Sequence, residues 1–513
     1  MCIRLEAAKR IRRNPDAMAE TLQLFAKQKK IYPRRVWGRY RKLKWLAMVA
    51  LLGIYYSAPW LRWNRGEHAP DQAILIDMPA RRAYFFGIEI WPQEVYYLTG
   101  ILILGAVGLF FVTSLLGRLW CGYACPQTVW TDLFVWVERL VQGDRNARKK
   151  LDESRWTLEK IGKKTLTHAL WLLIGLMTGG AWVFYFNDAP TLLDQILHFD
   201  VPWSVGGWIL ALTGSTYLMA GFAREQVCTY MCPYARFQSA MFDKDTLIIA
   251  YDEPRGEPRG KWKKKEQYLA QAAGKATYGA QSHGLLAEAK PAEAASHSGH
   301  CIDCDSCVVV CPMGIDIRHG LQMQCIACGL CVDACNSVMD KIGLPRGLIR
   351  YDTEAASDAR NAGQPVPRFR LLRPRSFWYV GIIGIVGGLM LYGLATRSAL
   401  ELNVIHDRNP LFVRLSDGEV RNGYVLHILN KTHEDRRYRL SIAGVENATL
   451  RVQGSGELSA EDLPVFADSV GQFRVFVSAP APQETRREIT FILEEKNATL
   501  RESKASIFLS AAP

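Results

Sequence analysis

Long apolar runs alternate with charged segments over most of the chain, and short runs of strand length take over toward its end. Five stretches, near 45–61, 95–116, 166–186, 207–223 and 377–395, are apolar enough to cross a bilayer, which takes ~20 residues. The fourth carries Thr213, Ser215 and Thr216, hydroxyls that a neighbouring helix or a helical carbonyl can satisfy. Residues 252–300 are Ala-, Gly- and Lys-rich with little periodicity, which predicts a flexible linker with one short helix near 262–273. Between 397 and 513 the runs GYVLHILN, YRLSIAG, ATLRVQ, FRVFVSA, EITFILE and ASIFLS are separated by the turn-like SDGEVRNG, NKTHED and VENA. About six or seven such strands predict an immunoglobulin-like sandwich, either a folded cap or a module whose edges and loops bind a partner.

The expected architecture is therefore multi-domain. A basic segment 1–44 precedes a four-span region 45–251, then the linker 252–300, a cysteine-rich domain 301–350, a fifth transmembrane helix at 377–395 and an all-β Ig-like module at 397–513. A chain of 513 residues is long enough for several domains. Its mean hydropathy of −0.03 averages apolar segments with charged ones.

The formal charge of +13 fits either nucleic-acid binding or the basic cytoplasmic loops of a membrane protein, and its distribution decides for the second. Fourteen Lys and Arg precede the first apolar stretch, ten lie in 117–165, four in 62–94 and none in 187–206. This pattern predicts that the N-terminus, 117–165 and 224–376 are cytoplasmic and that 397–513 lies on the far side. The basic N-terminal segment is too long for a signal peptide, so the first apolar stretch reads as an uncleaved anchor.

Eight cysteines stand in two matching runs. Cys301, Cys304, Cys307 and Cys311 have gaps of two, two and three residues, with Pro312 following; Cys325, Cys328, Cys331 and Cys335 repeat the gaps, with Asn336 in place of proline. This is the spacing of a bacterial ferredoxin with two [4Fe–4S] clusters. Three close thiolates wrap one cube and the fourth crosses to the other. The expected ligand sets are Cys301, Cys304, Cys307 and Cys335 for one cluster, and Cys325, Cys328, Cys331 and Cys311 for the other. Paired zinc sites would need only two close pairs each. A secreted disulfide framework would not confine all thirteen cysteines to positions up to Cys335 and leave the tail without any. Cys2 stands apart as an incidental terminal thiol.

Four cysteines form a second constellation. Cys121-Gly-Tyr-Ala-Cys125-Pro126 follows the second apolar stretch, and Cys228-Thr-Tyr-Met-Cys232-Pro233 follows the fourth. Both read Cys-x-Tyr-x-Cys-Pro, which suggests an internal repeat. A gap of four predicts both thiols of a pair on one helix face, and the proline is suited to open a new helix. Four thiols meeting at one membrane surface would hold Cu(I), zinc or another iron–sulfur cluster; otherwise they are packing residues at helix ends. Met219 and Met231 are nearby thioethers. No Cys-x-x-Cys-His run and no Gly-x-Gly-x-x-Gly run after a strand is present, and the apolar stretches hold only His168, so neither haem nor a nucleotide cofactor is expected.

Five segments carry a resemblance: IYPRRVWGRYRKLKW, RLWCGYACPQTVWTDLFVWVERLVQGDRNARKKLD, REQVCTYMCPYARFQSAMFDKDTLIIAYDEPRGEPRG, MDKIGLPRGLIRYDT and HDRNPLFVRLSDGEVRNGYVLHILNK. Together they resemble the FixG/RdxA/CcoG family from about residue 31 onward. The resemblance implies a bacterial inner-membrane accessory factor for a cbb-type cytochrome oxidase, acting as a cupric reductase that supplies Cu(I) for loading. It implies two [4Fe–4S] clusters on the eight ferredoxin cysteines and copper or redox work at Cys121, Cys125, Cys228 and Cys232. It also makes the tail a periplasmic Ig-like module. The partners expected are the lipid bilayer, the oxidase assembly machinery, a copper chaperone or transporter, and a cytoplasmic or quinol electron donor; nucleic acid is not among them, and a homo-oligomer is left open. Two rival readings are a quinol-linked electron-transfer subunit feeding a periplasmic reductase, and a non-enzymatic assembly scaffold.

Overall fold

The computed structural model describes residues 30–66, 69–261, 299–453, 459–480, 484–496 and 501–510. Cys2, most of the expected linker and its short helix near 262–273 lie outside the described residues. The chain divides into two compact units, one made of Met1–Gly53, Gly108–Gly179 and Leu210–Tyr379, the other of Ile54–Val107, Gly180–Ile209 and Val380–Pro513.

Among the described residues four helices are long and apolar enough to cross a membrane: Pro92–Leu116, Leu158–Val183, Trp203–Ala223 and Pro374–Ala395. The first predicted stretch is helical as well, over Arg39–Ser57. It is not among the four, because Arg39, Arg41, Lys42 and Lys44 occupy its first turns and leave too short an apolar remainder. Two of these cations also make tertiary contacts. Arg41 and Lys44 are buried and reach Asp132 at 2.8 and 3.9 Å. The start of this helix is held by a distant carboxylate, since Asp333 accepts from the Arg41 and Tyr40 amides at 2.8 and 3.3 Å. Negative charge is favoured there because the first amides of a helix lack intrahelical partners.

In the first unit, Leu247–Tyr251 pairs antiparallel with Ile349–Thr353, placing Ile249 opposite Tyr351. This two-stranded sheet brackets both ferredoxin runs and was not expected from the sequence. Its Ile249, Tyr251 and Ile349 share a core with Val332 and Met339 of helix Leu330–Lys341, and with Cys301, Cys307 and Cys335. The helix Trp203–Leu218 passes into a π-helical turn, Met219–Ala223; a second, Val227–Met231, follows after Arg224, which has φ of 37°. Such turns are rare and gather at functional sites.

The second unit holds the β-sandwich. One sheet orders Thr449–Gln453, Ser469–Pro480, Glu419–Asn430 and Leu400–His406, with Val413–Arg414 beside Glu419–Asn430; the other orders Leu463–Val465, Arg436–Ala443, Arg486–Glu495 and Arg501–Leu509. Alternate residues Tyr424, Leu426 and Ile428 face Leu440, Phe491 and Leu493 in its core. The strands number nine among the described residues, against six or seven expected. The predicted separator SDGEVRNG is a turn only up to Gly418 (φ 87°), and a strand begins at Glu419.

The same unit contains a three-stranded antiparallel sheet in 62–94, where no strand was expected: Ile74–Asp77, Arg82–Phe85 and Ile88–Ile90. The buried guanidinium of Arg65 gathers it, donating to the carbonyls of Pro70, Gln72, Ala73 and Phe86 at 2.5–3.0 Å.

Candidate metal centre

The twelve described cysteines are all free thiols. Eight of them line two cavities in the first unit. One is lined by Cys301, Cys304, Cys307 and Cys335, the other by Cys311, Cys325, Cys328 and Cys331 with Cys307 on its wall. The crossing of one cysteine from each run is visible in this division. The backbone wraps each cavity through left-handed residues at matching places: Asp303 (φ 51°) and Asp305 (53°) in the first run, Ala327 (51°) and Gly329 (73°) in the second. Asp tolerates this region; Ala is strained there by roughly 1–2 kcal/mol. Arg318 clamps the first loop, pairing with Asp303, Asp305 and Asp316 at 2.6–2.8 Å.

Burial sets the state of these thiols. It pushes Cys307, Cys311 and Cys335 up to about 12 and Cys325 to about 11, while Cys331 lies well above the ordinary thiol value. Backbone amides of Met313 and Ile315 turn toward Cys311, that of Ala327 toward Cys325 and that of Ile349 toward Cys335, and each opposes that rise. Thiols that cannot ionise alone, ringed by apolar walls and amide donors, suit a cationic iron–sulfur core. Among the described residues no three His, Cys, Asp or Glu side chains are close enough to hold a single ion. Sulfurs that each bind a different iron of a cube stand farther apart than sulfurs sharing one ion.

The Cys-x-Tyr-x-Cys-Pro pairs depart from the expected single helix face. Cys121 lies in the short helix Leu119–Tyr123, but Cys125 is extended (ψ 127°) and precedes helix Pro126–Gln142. Cys228 lies in the π turn, and Cys232 is extended (ψ 109°) before helix Pro233–Met241. The cause is the proline, whose ring excludes the helical conformation from the residue before it. Each pair thus straddles a helix break, while the proline opens the next helix as expected. Both breaks close alike: the amide of Cys125 donates to Trp120 O at 2.9 Å and that of Cys232 to Val227 O at 2.8 Å. Burial raises Cys121 to about 12 and Cys228 to about 11; Cys125 adds to both, and Arg118 opposes both. Met219 and Met231 are mostly exposed.

The two constellations meet. Arg118 donates to the carbonyls of Met323 and Ala235, and its charge acts on Cys121, Cys325, Cys228 and Cys232 together. Tyr123 donates to Cys328 O at 3.1 Å, and Tyr351 to Ala327 O at 2.5 Å. Gly122 has no room for a side chain, since a Cβ there would stand 2.7 Å from Ile326 O and 3.1 Å from both Ala327 O and Cys328 Cα. The sequence reading singled out the thiols but missed Arg118, Gly122, Tyr123 and Asp333. The one cue was that glycine stands in the first motif where the second has Thr229.

Comparison with known proteins agrees with this geometry. Residues 223–354 match a family described as a 4Fe-4S dicluster domain, 98–144 a 4Fe-4S binding domain, and 390–511 an IG-like fold at the C-terminus of FixG. The chain is 47% identical over 497 residues to the nitrogen fixation protein FixG of Rhizobium meliloti (strain 1021), covering 92% of this chain and 90% of that one. It is 46% identical over 462 residues to protein RdxA of Cereibacter sphaeroides, covering 89% and 91%. A more distant likeness, 24% over 315 residues, covers 58% of this chain and 85% of the ferredoxin-type protein NapH of Haemophilus influenzae. Identity close to one half, sustained along nearly all of both partners and joined to two thiol-lined cavities, makes this chain a member of the FixG/RdxA/RdxB family, an iron–sulfur electron-transfer protein.

Proposed function

We propose that the protein reduces Cu(II) to Cu(I), one electron per ion drawn from reduced clusters, at Cys121, Cys125, Cys228 and Cys232, two of these thiols holding an ion at a time, since no three stand close enough to share one. In this reading Cys301, Cys304, Cys307 and Cys335 hold one [4Fe–4S] cluster, and Cys325, Cys328, Cys331 and Cys311 hold the other. When bound, the clusters supply one-electron storage. Thiolates favour Cu(I) over Cu(II), which raises the potential of copper held by them and favours its reduction. Arg118 offsets the negative charge that accumulates when thiolates gather on both of its sides. The observation that carries this reading is that shared arginine, which donates to the Met323 carbonyl beside Cys325 and to the Ala235 carbonyl in the helix that follows Cys232. The basic segments would face the cytoplasm and the β-sandwich the periplasm, where Cu(I) would serve assembly of a cbb-type oxidase.

The test is anaerobic copper reduction by the purified full-length protein, its clusters first reduced with dithionite and the excess removed, followed with a Cu(I)-specific chelator. Replacing all four membrane-edge cysteines by serine should slow reduction at least about tenfold while iron content stays at wild type. An unchanged rate would remove copper from this site.

A second reading has its own support. The match to a 4Fe-4S binding domain spans Cys121 and Cys125, and the ferredoxin-type relative fits an electron-transfer subunit serving another reductase. Iron counting separates the two: about eight irons per chain for two clusters, about twelve if the membrane-edge thiols hold a third.

A further inference from the structure

Another cavity in the first unit, of about 320 Å³, contains none of the cysteines. It lies where the helices Leu158–Val183 and Trp203–Ala223 reach their charged ends, and its walls include His168, Trp171, Phe222, Gln142 and Arg224. That volume falls at the lower end of small-ligand pockets, which run from ~300 to ~1,000 Å³. Three features define its occupant. The first is shape: the rings of His168 and Phe222 stack within 12° of parallel at 5.9 Å, and Trp171 stands edge-on to His168 at 5.2 Å. Such walls favour a flat ring.

The second feature is charge. Each cation at the cavity already lies against a carboxylate: Arg224 pairs with Glu138 at 2.7 Å, Lys164 and Lys30 share Asp152 at 2.5 and 2.7 Å, and Glu225 adds a third acid to the wall. An anionic head group would meet these three acids and no unshared cation, which favours a neutral polar ring. The third is hydrogen bonding and access. His168 uses Nδ1 toward the Tyr217 hydroxyl at 3.0 Å, and its Nε2 has no partner among the described residues. Phe222 is 53% exposed on an apolar helix, so the cavity borders the surface that lipid would cover.

We propose that this cavity binds the head group of a membrane quinone: a neutral, flat, lipid-soluble ring with one oxygen on His168 Nε2. A cavity that shares Arg224 and Glu225 with this one also touches Cys228, so the ring would sit beside the candidate metal centre. The proposal rests on the electron-transfer role alone; failure of copper reduction would leave it standing, and its own failure would leave copper reduction untouched.

The test is photolabelling of the intact protein in lipid nanodiscs with an azido short-chain ubiquinone, followed by peptide mapping. Label should fall on peptides containing 164–171 and 217–225 and be displaced by decyl-ubiquinone. His168→Leu, with iron content matching wild type, should need about tenfold more decyl-ubiquinone for half displacement, and His168→Gln should restore most of the affinity. Label spread over other helices, displacement by a short-chain phosphatidic acid instead of the quinone, or His168→Leu behaving as wild type would each overturn the proposal. If His168→Leu loses iron, the wild-type label map and its competition decide alone.

Discussion

Gly122 shows how much a single position can carry. In an ordinary short helix, replacing glycine by alanine stabilises by roughly 1 kcal/mol. Here the added methyl would meet three backbone atoms of Ile326–Cys328, which cannot swing aside as a side chain could. Gly122→Ala is therefore expected to cost about 1–3 kcal/mol through overpacking, to lower Tm and to loosen retention of iron. The matched control is Thr229→Ala in the second motif, where the hydroxyl only returns to the Glu225 carbonyl at 2.8 Å; it should stay within about 0.5 kcal/mol of wild type. Thermal unfolding with iron analysis on both variants checks this. Equal behaviour would mean that the loop does not press on the helix. The contrast between the motifs is legible only afterwards, because nothing in CGYACP or CTYMCP says which copy meets a neighbouring backbone.

At the scale of elements, legibility followed distance along the chain. Cysteine spacing encodes wrapping locally, and the eight ferredoxin thiols line two cavities, with Cys307 on the wall of both. The helix break at Cys125 and Cys232 is also local: a four-residue gap alone predicts one face, but the proline's effect on its predecessor overrides it. The pairing of Leu247–Tyr251 with Ile349–Thr353 joins segments on either side of the linker, and no local pattern announces such a partner. Arg41 and Lys44, among the cations before the first apolar stretch, and Arg148, among those in 117–165, are buried by tertiary contacts against Asp132 and Glu138, which no local pattern announces. Burial by itself would raise the Glu138 carboxyl; Arg224 and Arg148 outweigh it and hold it below its usual value. A depressed carboxylate stabilises the fold above its unfolded value, near about 4.3, and loses that contribution as pH falls through its lower folded value. Acid unfolding should therefore have a component below about pH 4 that Glu138→Gln removes. At neutral pH the same variant should lose about 3–5 kcal/mol, because two buried guanidiniums lose their counter-charge. A pH series of denaturant unfolding curves reads both effects, and an unchanged acid limb would show that the pairing does not govern stability.

At the scale of the whole molecule, the question is whether the β-sandwich is a passenger on the last apolar helix. Within the second unit it is tied to another helix. Glu94, buried in the turn that opens Tyr96–Leu116, caps the Trp91 amide at 3.1 Å and pairs with Lys431 at 2.9 Å, just past the strand Glu419–Asn430. Arg82 adds a second tie, stacking on Trp91 at 3.8 Å and donating to Asp468 O at 2.7 Å. Glu94 sits in a segment read as plain loop from the sequence, since a lone acid beside an apolar run gives no hint of a cation more than three hundred residues away. Each charge has a further partner, Arg397 for Glu94 at 2.9 Å and Glu401 for Lys431 at 3.1 Å, so losing one side leaves the other partly compensated and costs less than the about 3–5 kcal/mol of an isolated buried pair. Glu94→Gln and Lys431→Met should each make the sandwich easier to cleave by protease in the intact protein, and the double variant should lose less than the sum of the two. Additive losses would mean that the two residues act separately. A shortfall from the sum would mean that the sandwich and the opening of helix Tyr96–Leu116 are held as one body, so that a partner gripping the sandwich would act on that helix rather than on a freely hinged tail.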